Sequence, residues 1–159
     1  MIAVVPAVVM STMVLQMTLL TEDASRSDAT SLVLAENMAR YHNGAYHEAL
    51  AAQNSGTLVA GVIPYTLVYP FRPLASWTTE VATDGATEWV VTFPADYGDW
   101  QPADMQAVIG IFEEQGYSEG SAGHATSTNF DLWQLPTLIT VMPEGAPVIV
   151  TPLPNGDAG

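Results

Sequence analysis

The pattern of apolar and polar positions changes period twice along the chain. Met1 to Leu20, MIAVVPAVVMSTMVLQMTLL, holds no charged side chain. Twenty helical residues span roughly 30 Å, the hydrocarbon thickness of a bilayer. Val4, Val8, Met10, Val14, Leu15 and Leu19 are the apolar positions that such a helix offers to lipid or to an assembly. Ser11, Thr12, Gln16 and Thr18 interrupt the run, and Pro6 falls near its start, where a missing N–H costs little. Ser27-Asp28 then has the chemistry of an N-cap. After it Leu34, Met38, Tyr41, Ala45 and Ala49 recur at spacings of four, three, four and four, which is one face of an α-helix. Glu36 and Arg40 lie four apart on another face. Gly44 weakens the middle by about 1 kcal/mol relative to alanine, and Asn54-Ser55-Gly56 is a stop signal. The pattern predicts a long rod, apolar at first and amphipathic later.

Beyond residue 57 the period shortens to two. Thr57 to Ala75 is apolar but broken by Pro64, Pro70 and Pro73, which predicts an edge strand or extended loop. SWTTEVATDGATEWVVTF then predicts a hairpin. A two-residue Asp84-Gly85 loop pairs Val81 with Glu88 and sends Trp77 and Val81 to the face opposite Trp89, Val91 and Phe93. A three-residue loop, Thr83-Asp84-Gly85, pairs Val81 with Thr87 and gathers all five on one face. Burial of one face selects the three-residue loop, with Gly85 left-handed in a bulge. Pro102 opens a short helix whose Met105, Val108, Ile109 and Phe112 follow helical spacing, and Gly116 ends it. This helix is expected to cover the hairpin, with Phe112 over Trp89 and Val91. Ala125 to Trp133 predicts another strand, and Thr137 to Met142 with Val148 to Thr151 a last pair around Pro143-Glu144-Gly145. The fold class is α+β: a long N-terminal helix, then a small antiparallel sheet with a covering helix, pilin-like or ferredoxin-like in arrangement. Three segments result: 1–21 as membrane anchor or assembly-buried helix, 22–56 as connecting helix, and 57–159 as an acidic α+β domain.

Charge sharpens this division. The 159 residues carry 17 acids against 3 arginines and no lysine, a formal charge of -14, and 48% of residues are hydrophobic. From Pro73 to Gly159 there are twelve acids and no Lys or Arg, and all 4 tryptophans sit there. Such a balance argues against nucleic-acid binding, which needs a basic footprint, and against docking on anionic lipid by a polybasic patch. A surface of this sign favours a basic partner, or serves solubility. The absence of cysteine removes disulfides, thiolate metal sites and thiol catalysis. For the leader, a cleaved signal peptide lacks its basic start and a small-residue cleavage site, and a buried core helix is the plain alternative. The membrane anchor is the favoured reading. Arg26 is the only basic residue near either end of the leader, and a short N-terminus left inside places the C-terminal domain outside the cytoplasm.

Catalytic chemistry has little to stand on. Gly116-Tyr117-Ser118-Glu119-Gly120 matches G-x-S-x-G, with His124 and Asp131 as formal triad partners. It follows a helix and enters a Gly/Ser loop, whereas the nucleophile needs a strand-to-helix elbow. His42 and His47 are five apart and read as exposed helix histidines, not as a stacked zinc pair. Asp96/Asp99 and Glu113/Glu114 lack the alternation of a calcium loop. No phosphate-cradling glycine loop occurs, so neither cofactor nor metal is expected.

A helix with AENMARYHNGAYHEAL leads to a Trp-led strand (SWTTEV), a DG turn (ATDGATEWVVTF), a short helix, a Ser/Gly loop (SEGSAGHATS) and a Pro-ending stretch (APVIVTPLP). In this order the chain resembles the small PilM proteins of type IVb thin pili from conjugative plasmids. The resemblance implies an inner-membrane component of pilus biogenesis, and the orientation argued above would put its C-terminal domain in the periplasm. Its partners would be other pilus or secretion-machinery proteins. A pilin-like subunit of an extracellular filament, assembled from copies of itself, is the alternative. Type IV pilins carry glutamate at the fifth mature position, and here that residue is Val5. On this reading Leu34, Met38, Tyr41, Ala45 and Ala49 form an interaction face for assembly.

Overall fold

The computed structural model describes residues 5–62, 71–96, 98, 100, 102–115, 121–125 and 142–154, with side chains from residue 29 onward except at 62, 115, 121 and 124. One helix, α1 (Val5–Asn54), takes up both the leader and the amphipathic stretch. At 50 residues it is about 75 Å long. Ser27 and Asp28 lie inside it, so the expected N-cap is not a helix start. A cap side chain replaces missing helical acceptors, and here the preceding turns already supply the carbonyls. The stop is where the sequence puts it. Gly56 N–H donates to Gln53 O (3.0 Å), Thr57 N–H to Ala52 O (2.8 Å), and Gly56 takes φ 69°. Those two bonds are the Schellman pattern, which needs a left-handed residue at its centre.

Five strands follow in one antiparallel sheet: β1 (Gly61–Val62), β2 (Trp77–Thr83), β3 (Glu88–Pro94), β4 (Ser121–His124) and β5 (Pro147–Pro152). Helix α2 (Pro102–Gln115) lies between β3 and β4 in the chain. The spatial order is β1-β2-β3-β5-β4. Both β3 and β4 run antiparallel to β5, so they share a direction, and α2 connects them across the position that β5 fills. β1 is a two-residue edge paired at Gly61↔Val81 and Val62↔Glu80, in keeping with a proline-broken segment. β4 falls on Ser-Ala-Gly-His, which sequence propensity assigns to a loop; its pairing to the buried strand β5 outweighs that propensity. The expected strands over 125–133 and 137–142 lie outside the described residues, apart from Ala125 and Met142.

The hairpin register differs from expectation. Val81 pairs with Val90 and Thr83 with Glu88, which leaves a four-residue loop, Asp84 to Thr87. Asp84 Oδ1 accepts from Ala86 N–H (2.8 Å) and Thr87 N–H (2.9 Å), and Gly85 has φ 90°. This Asx geometry closes the loop by itself and holds the Asp84 carboxyl below the usual carboxylate range, first through the Thr87 and then the Ala86 N–H. Trp77, Thr79, Val81, Val90 and Thr92 therefore share one face, and Ala82, Trp89, Val91 and Phe93 the other. The three-residue loop was inferred from a single buried face. Both faces are buried, so that constraint does not operate.

Each face has its own core. On the first, Leu34, Ala35, Met38 and Tyr41 of α1 and Met105, Val108, Ile109 and Phe112 of α2 gather with Trp77 and Ile149. Further along, Ala49 meets Val81, Val90 and Leu153. On the second face Ala82, Trp89, Val91, Phe93, Val148 and Val150 pack with Ala125, Met142 and Ala146. Phe112 is thus buried against α1, and the expected contact with Trp89 and Val91 gives way, since those two residues point through the sheet to the other side. Described helices and described strands together give the expected α+β class, with α1 and α2 on one face.

Candidate assembly surface

The amphipathic face of α1 is used internally. Leu34, Met38, Ala45 and Ala49 are at most 1% exposed and Tyr41 is 9% exposed. The residues expected to meet a partner are instead spent on the chain's own sheet and second helix, so the faces free for assembly are the others. His42 belongs to the same buried face, one turn from Met38 and close to one turn before Ala45. The exposed reading of His42 is corrected by full burial, whereas His47 is exposed beside Tyr46.

His42 anchors α1 to the sheet through a polar seam. Its Nδ1 lies 2.8 Å from Thr92 Oγ1 and its Nε2 2.8 Å from Thr151 Oγ1. Thr92 Oγ1 in turn lies 2.7 Å from Thr79 Oγ1. Three adjacent strands, β2, β3 and β5, thus each contribute one threonine to the first face of the sheet. Hydroxyls both donate and accept, so the seam satisfies either neutral tautomer of the ring. Burial lowers the His42 pKa to about 3, because the imidazolium would lose its hydration there. A charged ring is excluded at neutral pH, and the residue acts as an uncharged clamp.

Five positions before, on a more exposed side, Asn37 fastens the segment that enters β2. Its Nδ2 donates to Arg72 O (2.9 Å), and its Oδ1 accepts from Leu74 N–H (2.8 Å) and from Trp77 Nε1–H (2.7 Å). Trp100 Nε1–H donates to Leu74 O (2.7 Å) from the other side. Residues 72–77 are held as a firm ledge beside α1. Between ledge and helix runs an open groove of about 240 Å³, lined by Val33, Glu36, Asn37 and Arg40 of α1 and by Phe71, Arg72 and Leu74. Val33 is 52% and Leu74 39% exposed. Sequence reading missed this site: Arg40 and Arg72 are 32 positions apart in the numbering, and only the ledge brings them together.

Other sequence-predicted positions are placed as follows. Val8, Met10, Val14, Leu15 and Leu19 lie within α1, but their side chains, like Val4, are outside the described set. Among the described residues no helix is long and apolar enough to cross a membrane; the anchor expectation for 1–21 falls on side chains beyond that set. Ser118, Asp131 and the His124 side chain are outside it too. Among the described residues no three His, Asp or Glu side chains gather as a metal site. Comparison with protein-family models, with curated proteins and with solved structures returned no match to this chain.

Proposed function

We propose that this chain is a structural component of a type IV pilus or related secretion machinery, anchored in the inner membrane by its leader, with the folded domain in the periplasm. It works by protein contacts. The observation that carries the reading is the continuity of α1: residues from Ser31 onward are built into the domain, and the same helix continues back through the uncharged leader. A rigid helix of this kind transmits the position of the domain to whatever holds its first half. The order of sequence motifs resembles that of the small PilM proteins noted above. The same continuity favours one second reading, a pilin-like subunit whose leader packs against copies of itself in a filament.

Two measurements test the proposal. Deleting the gene in cells that make the pilus is expected to abolish or sharply reduce piliation, with recovery from a plasmid copy. Undiminished pili refute the role. Detergent extraction then separates the readings: an anchored component dissolves as small oligomers, whereas a filament subunit pellets intact. Recovery of the full chain in the soluble fraction without detergent refutes the anchor.

A further inference from the structure

We propose that the Arg40–Arg72 groove receives the paired carboxylates of Glu113 and Glu114 from a second copy of this chain, so that copies join head to tail. The inference rests on the assembly reading above and names its contact.

The groove is the single place where the described residues concentrate positive charge. Arg40 and Arg72 are two of only 3 basic side chains in a molecule of charge -14, and both line it. The third, Arg26, lies earlier on the same helix. Among the described residues neither Arg40 nor Arg72 is held in an ion pair. Among the described residues Glu36 is the one carboxylate lining the groove, beside two arginines. Val33 and Leu74, two of the exposed large hydrophobics, flank the same opening. Exposed apolar surface beside exposed arginines is the composition of an interface centre, where arginine is enriched. Asn37 and Trp100 fix the ledge, so the groove is preorganised.

The complement is at the end of α2. Glu113 and Glu114 are exposed neighbours in its last turn, and that turn holds no basic residue. Carboxylates there face the negative end of the helix dipole, an unfavourable placement. No Lys or Arg follows Arg72 in the chain, so the C-terminal part cannot supply a cation to them. A guanidinium pair from another copy can, with the bidentate geometry that Arg and carboxylate share. Groove and acid pair have no residue in common. The contact is therefore heterologous: each copy offers one groove and one acid pair, and copies add in an open row.

Charge exchange on the full chain in neutral detergent micelles tests this, with association read by sedimentation velocity. R40E/R72E alone and E113R/E114R alone are each expected to self-associate roughly tenfold more weakly than the natural chain, because like charges then meet at the contact. An equimolar mixture is expected to restore association, since each variant then finds the opposite sign. All four positions are on the surface, so unchanged circular dichroism of both variants checks their fold. A natural chain that stays monomeric, single variants that associate as it does, or a mixture that fails to restore association overturns the contact. So does a photo-cross-linker at Leu74 that captures only a different protein in piliated cells. Normal pili from cells carrying R40E/R72E would sink the groove and leave the pilus role standing, whereas normal pili after gene deletion would sink the role itself.

Discussion

His42 shows how one residue sets a condition on the whole fold. Folded, its ring titrates near pH 3; unfolded, near 6.5. Between those values the unfolded chain binds more protons, so stability rises with pH. The contribution is fully present above about pH 6.5 and is lost as pH falls toward 3, by about 1.4 kcal/mol per pH unit inside the window. Urea titrations at pH 7 and pH 5 are expected to differ by about 2 kcal/mol from this group, and His42→Asn should flatten that difference. An equal slope in the variant would mean that the ring is not buried neutral. The variant should also be less stable at pH 7, by about 0.5–1.5 kcal/mol, because an amide does not span both Thr92 and Thr151 and so loses one of the two hydrogen bonds of the ring. The sequence held a clue in Met38, His42, Ala45 and Ala49, spaced four, three and four apart. A polar residue inside an apolar stripe is ambiguous until the opposing threonines are known.

Among the elements, α2 is where packing decides most. Phe112 is 2% exposed within the cluster of Leu34, Met38, Tyr41 and Met105. Phe112→Ala is expected to cost about 3–5 kcal/mol, measured by chemical denaturation; a loss below about 1 kcal/mol would place the ring outside the core. That this face of α2 is buried was legible from the spacing of Met105, Val108, Ile109 and Phe112. Its partner was not, because periodicity says which residues turn inward and nothing about which wall they meet. The hairpin makes the same point. Strands were legible from Trp77 to Val81 and from Trp89 to Phe93, and a turn from Asp84-Gly85. The register was not, since alternation identifies a buried face only when the other is wet. β4 was illegible for a different reason. Its Ser121, Ala122 and Gly123 have little intrinsic preference for a strand, and the pairing with β5 supplies what they lack. The Arg40–Arg72 groove depends on a long-range contact, through Asn37, that no spacing rule encodes.

At the scale of the molecule, α1 divides into a part whose packing is described and a part that precedes it. Among the described residues the packed positions of α1 run from Ser31 to Leu50, and removing residues 1–21 takes away none of these. The shortened chain is expected to be soluble and folded, with the near-UV dichroism of its buried tryptophans and a monomeric size at low concentration. Aggregation, or a flat near-UV spectrum, would show that the leader completes the core. The long helix was legible in the chain's first twenty uncharged residues and the stripe that follows, and the α+β class in the alternation beyond residue 57; the site was not, because the buried stripe was the face first assigned to partners.

The fastening of α1 has a mechanical side. Asn37 grips the ledge before β2, and His42 grips β3 and β5, five positions further along the helix. Their bonds run from the helix to its neighbours on the sheet side. A pull applied to the first half of α1 and directed along its axis loads both grips together, with the apolar contacts of Leu34, Met38 and Ala49 between and beyond them. A pull across the axis would peel them one after another. Rupture under force follows the barrier to unfolding, and loading in parallel raises the share of contacts that must yield at once. The domain is therefore built to hang from its own helix: strong against tension along the rod, weak against being levered away from it.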